Sequence, residues 1–209
     1  MKQKNKKIIR FIMKRNCQIL VIILFLLFPF GKFLFCSDTT EEILPLKIGN
    51  EWIENICRYN SNADVNCHKR ITKVIADTLI NSEKFYVLEV SDSTGKVQAR
   101  NYYVNESDGL YIFNNDRFVM ILKYPVQAGE IFKGATDSVK VDSIDVTVQI
   151  SGKNYNCIKY SIEKTNIVYY KMFIYCSPGI GRVVYEIYDL NDGKNKLAEK
   201  WELLDFKIK

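Results

Sequence analysis

Beyond residue 43 the chain alternates between apolar and polar positions for most of its length. In residues 138–150 (SVKVDSIDVTVQI), Val139, Val141, Ile144, Val146, Val148 and Ile150 alternate with polar residues. That is the period of a strand with one face buried. The register shifts once, near Ser143, which predicts a β-bulge. Residues 69–80 and 84–91 are rich in β-branched and aromatic residues, with Asn81-Ser82 as the turn between them. Asp92-Ser93-Thr94-Gly95 predicts another turn. Further strands are expected at 96–104, 110–113, 117–123, 155–164, 167–176 and 182–189, with a last segment running up to Lys209. The connections are short and hairpin-like, apart from a longer one at 124–134. No convincing amphipathic helix appears, although 40–57 has room for a turn of one. About ten strands at this spacing predict an all-β fold. We expect a strongly curved antiparallel meander, a half-barrel or barrel-like sheet.

The first 43 residues differ in kind. Met1 to Arg15 is cationic, Ile19 to Phe28 is an unbroken apolar run, and Pro29 and Gly31 follow. This is the order of a secretory signal. The run is shorter than the roughly 20 residues of a spanning helix. Cleaved export is the leading reading, an uncleaved membrane anchor the second, and a cytoplasmic protein the third. Charge before the run puts the following domain outside in either of the first two cases. The expected organisation is therefore a signal peptide or anchor over 1–37, a linker over 38–43 and one β domain over 44–209. The expected location is the periplasm, outer membrane or surface of a bacterium. Cys36 invites a lipoprotein reading, but Phe35 stands where a lipobox has a small residue.

Charge follows the same division. The net charge is +6, yet eight of the 30 basic residues lie in the first 36 positions, where no acid occurs. The remainder holds 22 basic and 24 acidic residues. The basic character belongs to the leader, which removes the electrostatic case for a nucleic-acid partner.

Candidate chemistry is sparse. Cys57, Cys67, Cys157 and Cys176 remain beyond the leader, and an even count in an exported domain points to disulfides. Local pairing, Cys57 with Cys67 and Cys157 with Cys176, is the simplest, and cross-pairing stays open. Their spacings do not match the close ligand pairs of zinc sites, and His68 is the one histidine, so no metal site or cofactor is expected. Cys67-His68 makes a poor thiol–imidazole dyad, because strand neighbours point to opposite faces. His68 is read as a strand-edge or surface residue. No nucleophile-elbow, zincin or phosphate-loop motif occurs, so no catalytic residue is assigned. Glu89, Glu163 and Glu186 are read as outward salt-bridge partners.

Two segments carry a resemblance. Leu46-Lys47-Ile48-Gly49-Asn50-Glu51-Trp52 resembles the Leu-x-x-Gly-Asn-x-Trp opening of uncharacterised secreted β proteins of Bacteroidota and related bacteria. Tyr175-Cys176-Ser177-Pro178-Gly179-Ile180-Gly181-Arg182-Val183 resembles their closing motif, with an extra residue before the proline. The stretches 102–111 and 122–125 also look like that family's core. The resemblance implies a curved-sheet envelope protein and no particular activity. Asp-Ser/Thr pairs at Thr39, Thr78, Ser93, Ser138 and Ser143 resemble the O-glycosylation motif of such proteins. Their plain alternative is turn chemistry.

Three functions remain. The first is a non-enzymatic binding module for a lipid, peptide or protein partner, which calls for a cavity. The second is a structural or surface-assembly protein, which calls for a filled core and an exposed apolar edge. The third is a hydrolase with carboxylate chemistry, which needs acids that meet in space.

Overall fold

The structure, a computed structural model, describes residues 41–60, 64–135, 137–164, 170–190 and 195–209. These form β1 (Glu51–Tyr59), β2 (Val65–Ile80), β3 (Glu83–Asp92), β4 (Val97–Glu106), β5 (Gly109–Asn114) and β6 (Arg117–Lys123). The second half holds β7 (Ile131–Lys133), β8 (Ser138–Ile150), β9 (Lys153–Lys164), β10 (Tyr170–Ser177), β11 (Gly181–Asp189) and β12 (Lys196–Lys207). All belong to one twelve-stranded antiparallel sheet. Two strands exceed the ten expected. One is the three-residue β7. The other is β1, which occupies the segment read as having room for a helical turn. Trp52, Glu54 and Ile56 alternate inward there, and β2 and β12 pair with β1 on either side.

Hairpin turns set the meander. Asn81-Ser82 and Asn115-Asp116 each place two successive residues at positive φ, as does Ser151-Gly152. This is the backbone of a two-residue turn whose twist matches that of its flanking strands. Curvature comes from register shifts in the ladders. They lie at Ile53/Glu54, Val74/Ala76, Val90/Ser91, Leu110/Tyr111, Tyr175/Cys176 and Ile187/Tyr188, and on either side of Ser143. Each bulge bends its strand and adds local twist. Together they roll the sheet into a nearly closed barrel.

The strand order is β6-β5-β4-β3-β2-β1-β12-β11-β10-β9-β8-β7. The free edges are thus β6 and β7, consecutive in sequence, and the connection between them runs along the seam. Lys123 at the end of β6 forms an ion pair with Glu130. The Lys123 carbonyl accepts the Tyr160 hydroxyl of β9 at 2.8 Å. Glu130 in turn accepts the Val141 amide of β8 through its carbonyl.

One end of the barrel is stoppered by residues 41–50. Ile43 and Leu46 are buried in the core. The Leu44 carbonyl accepts the Asn105 side chain of β4 at 2.7 Å. The Glu42 carbonyl accepts the Gly179 amide from the β10–β11 turn at 2.8 Å. Asn50, fully buried, donates to the Pro45 carbonyl and accepts the Lys209 amide.

Candidate functional site: a charged cavity inside the barrel

Beneath the stopper lies a cavity of about 350 Å³. Its ceiling is Leu44 and Trp52, and Leu88, Leu110, Ile121, Leu122 and Ile174 form apolar walls. It runs along the strands to a polar floor of Glu54, Arg70, Arg182 and Trp201, with Thr72, Asn101 and Tyr103 also lining it.

Local sequence explains each charged position. Glu54 falls between Trp52 and Ile56 in the inward row of β1 and sits directly opposite Arg70 of β2. Arg182 is the second residue of β11, where the register shift at Tyr175/Cys176 sets it against Cys176, which is fully buried. Arg70 gives Nε and Nη2 to Glu54 Oε2 at 3.0 and 2.6 Å. Arg182 gives the same pair of atoms to Glu54 Oε1 at 3.0 and 2.7 Å. One carboxylate is therefore clamped by two guanidinium forks, the strong form of an ion pair. Both guanidinium carbons also lie over the Trp201 ring, 3.9 and 4.4 Å from its centroid. The ring's negative face favours cations there.

Burial pushes the Glu54 carboxyl up, but the Arg182 and Arg70 charges and hydrogen bonds outweigh it and hold the group below its usual value. Burial pushes the Tyr103 phenol up, against the pull of both arginines. At neutral pH the floor therefore carries Glu54 ionised, Tyr103 protonated and two arginine cations, one positive charge in excess. Glu54 keeps only 6% of its side-chain surface exposed, while Arg70 and Arg182 keep 17% and 30%. The acid is spent on the clamp, and the arginines still face the cavity.

The sequence-predicted residues lie elsewhere. Cys57 and Cys67 stand directly opposite each other on β1 and β2 and are joined by a disulfide, Cα to Cα 4.1 Å. Cys157 and Cys176 are not joined, contrary to the local pairing expected: both are free and buried. Their strands pair one residue out of step, so Cys176 faces Ile158. Burial pushes both thiols up to about 12, which keeps them protonated. His68 is exposed on β2, and its neighbour Cys67 has no thiol to offer. Ser93 and Ser138 are exposed, Thr78 and Ser143 half-buried, and Thr39 and Cys36 lie outside the described residues. Glu89 pairs with Arg100, and Glu186 accepts the Tyr188 hydroxyl. No cluster fit to hold a metal occurs among the described residues. Sequence reasoning missed Glu54, Arg70 and Arg182. The available signal was the Trp-x-Glu-x-Ile alternation, which puts an acid on the face of two large apolar residues.

The two resemblance motifs meet at the stopper. The Trp52 indole N–H donates to the Ile180 carbonyl at 2.6 Å. A methyl at Gly181 would stand 2.6 Å from Leu44 Cδ1, so the motif's glycine lets the stopper seat against β11.

Two solved structures have a similar backbone. One is a Bacteroides fragilis protein described as exported and of YmcC-like fold, 15% identical, with a TM-score of 0.50 over 79% of this chain and 98% of that one. The chain shares that fold. The other is a protein from Parabacteroides distasonis described as a lipoprotein, 13% identical, with a TM-score of 0.50 over 80% of this chain and 99% of that one. No family model and no curated protein matches the chain.

Proposed function

We propose that this chain is an exported envelope protein that holds a small, largely apolar ligand inside its barrel and performs no chemistry on it. The observation that carries the reading is the cavity. At about 350 Å³, with apolar walls and a few convergent polar groups, it has the size and lining of a small-molecule site. Export is supported by the cationic and apolar leader and by the Cys57–Cys67 disulfide, which persists in oxidising compartments. The two proteins of like fold are described as exported and as a lipoprotein, which accords with it.

The binding role is favoured over carboxylate catalysis because Glu54 is the one acid among the described lining residues. Both its oxygens are taken, and its lowered pKa makes it a weak proton donor. Surface assembly calls for a filled core and an apolar edge. The edge strands do expose Phe118 of β6 and Ile131 of β7, but the core is not filled, since the cavity lies inside the barrel.

The test is intact mass of the protein purified from its own cell envelope, measured under native and denaturing conditions. An excess mass lost on denaturation is the expected result. A bare mass in both states would overturn the reading.

A further inference from the structure

The cavity's floor specifies one end of its occupant. Arg70 and Arg182 each spend Nε and one Nη2 hydrogen on Glu54. A guanidinium carries further N–H donors. No other ion pair engages either arginine among the described residues. Glu199, two residues along β12 from Trp201, is paired with Arg58. Asn105 Oδ1 is the one fully buried side-chain atom among the described residues that has no partner, so neither the remaining arginine nitrogens nor the Tyr103 hydroxyl is both buried and unpartnered. Two cations against one anion, with donors open to the same cavity, leave a place for a second anion. The apolar walls lead from that floor up to Leu44 and Trp52.

We infer that the ligand is an acidic amphiphile, a carboxylate-headed molecule whose head is received by Arg70, Arg182 and Tyr103 and whose apolar body lies along Leu88, Leu110 and Ile121. This rests on the binding reading above and adds the chemistry of the head. A carboxylate suits the place because a guanidinium fork recognises carboxylate oxygens, and at Glu54 each of these two forks already holds one oxygen of a carboxylate. An amine head would add a third cation to the floor. An uncharged head would leave the excess positive charge without a partner in a low-dielectric site, which costs free energy.

The molecule supplies its own reporter, since both of its tryptophans, Trp52 and Trp201, line the cavity. The exported protein, purified as the cell makes it and stripped of lipid on a hydrophobic resin, is titrated at pH 7 with decanoate, decanol and decylamine while tryptophan emission is followed. Decanoate is expected to bind at least about tenfold more tightly than decanol, with decylamine weakest. Arg182→Gln and Arg70→Gln should each weaken decanoate about tenfold and leave decanol within about twofold. The wild-type series decides the matter even where a variant fails to fold. Equal binding of decanoate and decanol, or tightest binding of decylamine, overturns the acidic head and leaves a binding cavity standing. Failure of all three to bind overturns the binding reading itself.

Discussion

The barrel has two interiors. Under β8 and β9 it is solid: Val139, Val141, Cys157, Ile158 and Tyr160 are all buried, and no residue of β7, β8 or β9 lines the cavity. Between β1–β6 and β10–β12 the same sheet encloses open space with a charged floor. The difference teaches what a curved sheet does with inward positions. Where large apolar residues and a tyrosine converge, they fill the barrel. Where Glu54 and two arginines take inward places, their forks and the Trp201 ring hold side chains apart. The solid side supplies stability, and the open side depends on one ion cluster to keep its shape.

The sharpest way to break the open side is Glu54→Gln. Removing the shared acid leaves two half-buried guanidiniums facing each other, and should cost about 3 kcal/mol of unfolding free energy in a urea titration. The same residue has a pH signature. Its carboxyl is held below the ordinary value of 4.5 in the fold. Its contribution is therefore complete above that pH and is lost as pH falls through the depressed folded value. Melting temperature against pH should show a wild-type acid limb that flattens in the variant.

The two interiors should also answer differently to the same truncation. Ile158→Ala, in the solid side, should cost about 3 kcal/mol by denaturant unfolding. Ile121→Ala, on a wall that already borders empty space, should cost about 1 kcal/mol, because it loses contacts on one side only. Equal losses would mean that the cavity collapses in solution.

A smaller effect is expected at the stopper. Gly181 has φ +102°, and an added methyl meets Leu44, so Gly181→Ala should cost about 2 kcal/mol and loosen the cavity's ceiling. Gly152 has φ +78° with open space around it, and Gly152→Ala should cost about 1 kcal/mol. The smallest effect is Arg100→Gln on the outer surface. It breaks the pair with Glu89, in which the arginine side chain is 58% exposed, and should cost less than about 1 kcal/mol in the same assay.

The strands and their turns were legible in the sequence, and the ion cluster on the open side was not. Alternation in 138–150 marked β8 and its bulge, and Asn81-Ser82 marked the β2–β3 hairpin at the right place. These are local signals, set by side-chain period and backbone sterics. The ion cluster is not local. Arg182 meets Glu54 across 128 residues of sequence, and it does so beside a register shift that no spacing announces. Cys157 and Cys176 failed for a related reason: nearness in a hairpin does not ensure opposition, and a pairing one residue out of step separates two thiols that sequence would join. The resemblance motifs pointed to turns, but what they do together, seating Trp52 against Ile180 to hold the stopper, needed the third dimension.

The pairing of β1 with β12 bears on how the chain comes to be folded. β1 is made before any other described strand, and one of its two edges is reserved for the last. Residues 196–207 form the last described strand, so one edge of β1 stays bare until every other described strand has been delivered. Until then the chain has two incomplete ribbons, β1–β6 and β7–β11, with no ladder between them. Contacts this distant in sequence form slowly, and bare edges invite foreign strands. Strand β12 acts as a clasp. A nascent chain stalled or clipped before Lys196 is a candidate for aggregation, and a chaperone would serve this protein best by shielding the edge of β1 until the clasp arrives.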